Sequence, residues 1–210
     1  TSQALGRGGL TLSAQYGRGD GFIPVIASQR GAVDRAAGYD QWGVNLRFVA
    51  PINSTTELQA SARAFGDQRE RGFAFSDNDN RGADASVRLV GRGRWGWSAL
   101  GYVQTRQFAS RYASVNAART AATLTLDQYN VPATGLGARV EVSPPLGDAI
   151  TLRLGGDIRD TSGRTQELYT YVAGLPTRRR EAGGATRTMG LFADGSVEVA
   201  DDGRGMPVDI

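Results

Sequence analysis

Apolar and polar residues alternate with a period of two along much of this chain. In GLTLSAQYG, residues 9–17, an apolar side chain occupies every second position, and Thr, Ser and Gln lie between them. Successive side chains of a β-strand point to opposite faces, so this pattern predicts a strand with one apolar and one polar face. Few segments have apolar residues three or four positions apart, as one face of a helix requires. Seven further segments have the strand pattern: 41–50, 57–66, 82–91, 96–106, 136–142, 150–157 and 187–200.

The eight predicted strands share two faces of contrasting chemistry. The apolar face contains Leu10, Leu12, Ala14, Tyr16, Trp42, Val44, Leu46, Phe48, Ala50, Leu58, Ala60, Ala62, Ala64, Ala83, Ala85, Val87, Leu89, Trp97, Ala99, Val103, Leu136, Ala138, Val140, Val142, Ile150, Leu152, Leu154, Met189, Leu191, Ala193, Val197 and Val199. The polar face contains Thr11, Ser13, Gln15, Asn45, Arg47, Gln59, Ser61, Arg63, Asp84, Ser86, Arg88, Arg139, Glu141, Arg153, Asp157, Asp194, Ser196 and Glu198. The fifth strand is ambiguous, because Leu100 and Tyr102 make its second face nearly as apolar.

The connections between these strands alternate in length. Short turns are predicted at 51–56, 91–96 and 143–149, and long loops at 17–40, 67–81, 107–133 and 160–185. An up-and-down transmembrane β-barrel has tight periplasmic turns at one end and extended extracellular loops at the other. Tyr16 and Trp42 lie at the long-loop boundary, and Trp95, Trp97 and Phe48 near the short turns, as two interfacial girdles require. The pattern therefore predicts an all-β, antiparallel transmembrane barrel.

Composition narrows the classes of function. All 24 basic residues are arginine, against 21 acidic residues, and they are dispersed along the chain, so nucleic-acid binding is not expected. Cysteine and histidine are absent, which removes disulfides, thiolate chemistry and the usual general base near neutral pH. We expect no enzyme activity, no cofactor and no metal site. No apolar run approaches the roughly 18 residues of a membrane-spanning helix.

Two short motifs have ordinary interpretations. GRGRWG, residues 91–96, matches a dinucleotide-binding pattern, but a strand follows it where that fold needs a helix, so a tight turn is favoured. SDNDNRGAD, residues 76–84, begins like a calcium-binding loop. Arg81 and Arg88 occupy positions at which a calcium-binding loop has oxygen ligands, so an acidic, solvated loop tip is favoured.

One stretch is a candidate ligand site. TRRRE, residues 177–181, lies in the last long loop and includes Arg178, Arg179 and Arg180, with Tyr169 and Tyr171 nearby. Guanidinium groups fork onto carboxylates and phosphates, so these residues are a candidate anion site. The alternative is a solvated loop. Weaker candidates in the third long loop are Tyr112 and Tyr129.

Two segments carry a resemblance to a known family. LDQYNVPATGLGARVEVSPPLGDAITLRLGGDIRDTSGRT, residues 126–165, resembles the mid-barrel hairpin of TonB-dependent outer-membrane receptors. GATRTMGLFADGSVEV, residues 184–199, is similar to a later strand of the same barrels. The resemblance implies a bacterial outer-membrane protein whose parent imports a scarce solute, such as a ferric siderophore. The implied partners are outer-membrane lipid and lipopolysaccharide, a plug domain, TonB and the small-molecule ligand.

The chain also departs from that family. It has about eight predicted strands, no recognisable plug or TonB-engaging segment, and a turn-like tail, DDGRGMPVDI, instead of a final strand with an aromatic end. We therefore expect a segment of a larger receptor barrel. A small autonomous barrel with an anchoring or adhesin role is the alternative, because eight strands are enough to close a barrel if the first pairs with the last. A soluble β-domain is a second alternative.

Overall fold

The computed structural model describes residues 1–147 and 149–198, which form a single antiparallel β-sheet. The predicted all-β class is confirmed. Part of the predicted short turn (Asp148), Val199 and the turn-like tail lie outside the described residues. The sheet contains nine strands: β1 (Ser2–Leu5), β2 (Gly8–Gly19), β3 (Tyr39–Pro51), β4 (Thr56–Glu70), β5 (Asp77–Arg92), β6 (Gly96–Val115), β7 (Ala122–Ser143), β8 (Ile150–Val172) and β9 (Leu175–Val197).

Each strand pairs with its neighbours in sequence, so the predicted up-and-down order is confirmed. The register aligns the predicted apolar positions across the sheet. Along one row Val44 lies opposite Ala64, which lies opposite Ala83. Further along the sheet Val103 lies opposite Leu136. The polar positions align in the same way on the other face, so both faces run through the sheet without interruption. Leu100 and Tyr102 lie on the polar face, which resolves the ambiguity of the fifth predicted strand: they are opposite Arg88 and Ser86.

The count of eight strands was one too few. Ser2–Leu5 forms the short strand β1, which pairs with the start of β2 through a turn at Gly6, whose φ is 61°. A positive φ favours glycine. Four residues are too few for an alternation pattern to identify, so the sequence contained no usable signal for this strand.

Closure into a barrel is not observed. Within the described residues β1 pairs only with β2, and β9 pairs only with β8, so the sheet has two open edges. The pairing of the first predicted strand with the last, which the small-barrel alternative requires, is therefore absent among the described residues. The edge of β9 is the longer one, at 23 residues.

Three predicted long loops are mostly strand. Residues 67–81, 107–133 and 160–185 shrink to connections of 71–76, 116–121 and 173–174, because the flanking strands continue outward. These extensions carry charged residues on both faces, so they lack the apolar alternation that marked the central segments. Only the first long loop remains long, at residues 20–38, with a 3₁₀ turn at Ala27–Gln29. The short turns lie at 52–55 and 93–95, and the third short connection joins Ser143 to Ile150.

Within the described residues the sheet is a single layer. Val33 is the only large apolar side chain that is buried among the described residues. The accessible surface is 14233 Å², whereas a globular monomer of this mass exposes roughly 9,400 Å². Stable domains in water cover an apolar sheet face with another layer, and here that face is bare. No helix in the described part of the chain is long and apolar enough to span a membrane.

Candidate functional site

The apolar face is bounded at both ends by tryptophan. Trp42 lies opposite Gly66 at one end, and Trp97 lies opposite Gly91 at the other. A Cβ on either glycine would overlap the facing indole ring, so each tryptophan packs flat against its neighbouring strand because that position is glycine. We call the apolar rows between these two tryptophans the apolar band.

The height of the apolar band can be read along β5. Arg81 lies in the row of Gly66, and Gly91 in the row of Trp97. The ten residue steps between them span about 33 Å along the strand, or about 25 Å across a bilayer at a strand tilt of about 40°. Between these rows β5 places only Ala83, Ala85, Val87 and Leu89 on this face. Val87 is 53% exposed and Leu191 of β9 is 94% exposed.

The opposite face carries a network of ion pairs. Five of the predicted polar residues form three ion pairs across or along strands: Arg153 with Asp194 at 2.6 Å, Arg139 with Glu141, and Asp84 with Arg106 at 2.6 Å. The Arg139 guanidinium also lies 4.5 Å from the ring centre of Phe192. These three ion pairs neutralise part of the charge on this face within the sheet.

Beyond the Trp42 row the apolar face becomes charged. The next row on that face runs Arg18, Asp40, Gln68, Asp79, and the row after it runs Glu70, Asp77, Arg111, Asp127. Tyr16 donates from its hydroxyl to Asp40 at 2.9 Å, Gln68 donates to Asp79 at 2.6 Å, and Arg111 donates through Nε to Asp77 at 2.9 Å. The predicted loop tip 76–84 is wrong, because Asp77 and Asp79 belong to β5 and are held by these contacts.

The β2–β3 connection, residues 20–38, crosses the ends of the neighbouring hairpins; we call it the strap. The Arg35 amide donates to the Gly72 carbonyl at 2.9 Å, and the Val33 amide donates to the Arg119 carbonyl at 3.1 Å. The Asp34 side chain is fully buried and accepts hydrogen bonds from Arg119 Nε and the Gly31 amide, both at 2.8 Å. The Arg119 guanidinium, with the Gly31 amide, lowers the pKa of Asp34 to about 2.

A cavity of about 850 Å³ lies between the strap and the two charged rows. Its volume is in the range of small-molecule sites. Burial raises the pKa of Asp127, only partly offset by the Arg111 guanidinium. Its charged lining residues are Arg18, Asp20, Arg35, Asp40, Arg69, Glu70, Asp77, Asp79, Arg111 and Asp127. Tyr129, a weaker candidate from the sequence, also lines it.

The predicted arginine site lies elsewhere, near the tip of the β8–β9 hairpin. Tyr169 faces Arg178, and the Arg180 guanidinium lies 5.3 Å from the Tyr169 ring centre. Arg180 also donates through Nε to the buried Glu167 at 2.7 Å. Hydrogen bonds from Gln128 and then Arg180 lower the pKa of Glu167.

The other members of the predicted arginine site are less closely associated. Arg179 alternates to the opposite side of β9, where it pairs with Glu181 at 3.4 Å. Tyr171 lies opposite Pro176. The hairpin therefore brings Tyr169, Arg178 and Arg180 together, and carboxylates already neutralise Arg179 and Arg180.

The cavity was not predicted from the sequence. Its residues come from the strap and from strand extensions for which the sequence predicts loops, and the register is needed to bring them together. The single sequence signal was the run of acidic residues in SDNDNRGAD. Tyr112, the other weak candidate, lies outside the cavity lining, with the Arg71 guanidinium 4.7 Å from its ring centre.

Comparison of the chain with protein-family models, with curated proteins and with solved structures finds no match. Within residues 1–147 and 149–198, no group of three or more potential ligand residues could hold a metal ion.

Proposed function

We propose that this chain is a membrane-spanning β-barrel segment of a bacterial outer-membrane receptor of the TonB-dependent kind. Its parent would import a scarce solute such as a ferric siderophore, with a plug domain in the lumen and TonB as energy-coupling partner. In this proposal the apolar band contacts lipid and the polar face lines the lumen. The chain has a transport role and no catalytic one.

One observation carries the membrane part of the proposal. The register aligns every predicted apolar row on one uncovered face and the ion-paired rows on the other. Lipid requires an apolar outer face and full pairing of the backbone, which closed sheets provide. The estimated band height of about 25 Å agrees with the apolar band of outer-membrane barrels. A soluble domain would leave this face exposed to water.

The open edges favour a segment of a larger barrel over an autonomous small one. An unpaired 23-residue edge on β9 exposes a row of backbone donors and acceptors that cannot remain unpaired in hydrocarbon. Further strands on this edge would pair it. The resemblance of residues 126–165 and 184–199 to receptor strands supports the same proposal.

Tryptophan fluorescence tests insertion directly. The chain contains three tryptophans, Trp42, Trp95 and Trp97, all expected near the membrane boundaries. After refolding into phosphatidylcholine vesicles, lipids brominated close to the headgroup should quench this fluorescence more than lipids brominated at the chain ends. A monodisperse, folded protein without detergent or lipid would contradict the membrane proposal.

A second measurement separates the receptor from the small barrel. If the 210-residue chain closes alone, its unheated and heated forms should migrate differently on a denaturing gel. The receptor proposal expects no such closed form, and expects the surrounding reading frame to encode a plug and further strands. A stable, heat-modifiable band from a gene that encodes only this chain would favour the autonomous barrel.

A further inference from the structure

Three arginines lie close together at the centre of the polar face. Arg47 is on β3, Arg63 on β4 and Arg88 on β5, and they occupy three successive rows of that face. Successive rows are two residues, or about 7 Å, apart along a strand, and neighbouring strands are about 4.8 Å apart. The three Cα atoms are therefore about 8–14 Å from one another. We call these three residues the arginine triangle.

The arginine triangle lies behind the middle of the apolar band. Along β3, Arg47 falls between Leu46 and Phe48, and along β5 Arg88 follows Val87; the three apolar residues belong to the band. In the proposed membrane setting the triangle therefore faces the lumen at the depth of the bilayer centre. Charged side chains at that depth are costly, and they almost always pair with a partner.

The floor of the triangle is neutral and polar. Ser61 and Ser86 lie opposite each other at its centre and share a hydrogen bond of 2.8 Å. Tyr102 lies opposite Ser86, and its hydroxyl accepts a hydrogen bond of 3.2 Å from Arg159, so the hydroxyl proton can be donated to a ligand. A cavity of about 370 Å³ opens at this point, and its lining includes both serines, Tyr102 and two of the three arginines.

The sheet itself does not neutralise the triangle. Among the described residues, none of its three arginines takes part in an ion pair. Asp84, which also lines the cavity, pairs with Arg106 at 2.6 Å. Arg63 lies opposite Asp84, but its guanidinium is over the Phe65 ring, 5.2 Å from the ring centre.

Other carboxylates of the polar face do not compensate these charges either. Glu57, further along β4, is held by Arg92 at 3.0 Å. Asp157 and Glu198 take part in no ion pair among the described residues, but Asp157 is on β8, three strands from β5, and Glu198 follows the end of β9. Arg159 on β8 adds a further positive charge. The triangle therefore requires negative charge from outside this sheet.

We propose that the arginine triangle is the docking surface for an acidic segment of the domain that fills the lumen. The carboxylates of this segment bind the three guanidinium groups by charge-assisted hydrogen bonds. Alternate residues of an extended segment are about 7 Å apart, which matches the spacing of the three rows. The inference rests on the proposed receptor function and adds the chemistry of one lumen contact to it.

A permanent partner fits the triangle better than a solute in transit. Like charges on adjacent strands repel one another, and the cost of unpaired charge at this depth is present whether or not a solute is passing. A domain that stays in the lumen compensates the charges at all times. Lipid phosphates are excluded, because lipid contacts the other face of the sheet in the proposed setting.

Peptide binding tests the proposal. The 210-residue chain is refolded in detergent micelles and titrated, by calorimetry, with a capped five-residue peptide that has glutamate at its first, third and fifth positions and serine between them. The reference peptide has glutamine in place of glutamate. We expect the glutamate peptide to bind at least about tenfold more tightly, the ratio that one charge-assisted hydrogen bond provides. Equal affinities for the two peptides would overturn the proposal.

Paired variants locate the binding. Arg47→Gln/Arg63→Gln should weaken binding of the glutamate peptide by about tenfold or more. Arg47→Lys/Arg63→Lys keeps both charges and should retain most of the affinity.

The matched control removes the same net charge elsewhere. Arg7→Gln/Arg94→Gln lies in the turns at the short-turn end of the sheet, and neither residue takes part in an ion pair among those described. Charges that far from the triangle are screened at physiological salt, so the affinity should change by less than about threefold. If both glutamine variants lost the same affinity, the peptide would be responding to net charge alone, and the assignment would be overturned.

Two further measurements separate the possible failures. Insertion is first measured by fluorescence quenching in pure phosphatidylcholine vesicles, so failure there contradicts the membrane proposal itself. Successful insertion without a preference for the glutamate peptide contradicts only the docking surface. Succinate carries two carboxylates on a small molecule; if it binds as tightly as the glutamate peptide, the triangle is a site for a small anion and the proposal of a docked protein segment is overturned.

Discussion

At the scale of single residues, the Asp34 carboxylate is the clearest electrostatic anchor of the strap. It is fully buried, and it accepts hydrogen bonds from Arg119 and from the Gly31 amide. Gly31 is suited to this position, because a Cβ there would overlap the backbone of residue 119. Arg119 itself has a positive φ of 54°, a conformation that non-glycine residues rarely adopt. The buried ion pair, the glycine at position 31 and the positive φ of Arg119 therefore all constrain the contact between the strap and residue 119.

The lowered pKa of Asp34 predicts how the strap responds to acid. A carboxyl group whose pKa falls on folding stabilises the folded form when ionised, and that contribution is lost as pH falls through the folded pKa. For Asp34 the window runs from the ordinary 3.8 down to about 2. Hydrogen exchange of residues 31–35, corrected for the intrinsic rate, should be steady from pH 7 to about pH 4 and faster below it.

Two variants check that Asp34 is the titrating group. In the Asp34→Asn variant the amides of residues 31–35 should exchange faster at every pH. Their corrected exchange rate should not change between pH 4 and pH 2, because an asparagine side chain has no ionised form. Asp20→Asn removes a carboxylate of the same strap that has no ion pair, and should behave as the original chain. If both variants kept the acid-dependent step, the strap would be controlled by another group.

At the scale of strands, the alternation of side chains decides what can be predicted. Central segments such as 82–91 were found because one face is apolar and the other is polar. Outer segments such as 177–183 have polar or charged residues on both faces, so the sequence predicts loops there, although these segments continue the sheet as far as the turn at 173–174. The predicted arginine site was therefore placed on a loop, and its division between two strand faces could not be foreseen.

The two faces of β5 can be distinguished by a pair of adjacent labels. The chain has no cysteine, so a single substitution carries a polarity-sensitive fluorophore at one known position. In vesicles, Ala85→Cys should give a blue-shifted emission because it lies in the apolar band, and Ser86→Cys should give emission typical of a polar environment. Iodide should quench only the second label. Identical spectra would contradict the assignment of the two faces to different surroundings.

At the scale of the whole molecule, the medium decides whether this sheet is stable. A single layer with an uncovered apolar face does not gain the burial that stabilises domains in water. Alternation along the sequence predicted this two-faced character. It could not predict whether the edges close, because closure depends on backbone pairing between distant strands and has no local sequence signal.

An arginine placed in the apolar band distinguishes the two media. In vesicles, Val87→Arg places a charge near the middle of the band and should lower the free energy of unfolding by about 2–4 kcal/mol. On a water-exposed surface the same change should cost at most about 0.5 kcal/mol. Urea unfolding in vesicles gives this difference directly. Gln104→Arg on the polar face is the matched control, and its cost should be small in either medium. Val87 is already 53% exposed in the isolated sheet, so a large loss of unfolding free energy in vesicles can arise only from the medium that covers this face. A loss no larger than that of Gln104→Arg would mean that water covers the face, and would contradict the membrane proposal.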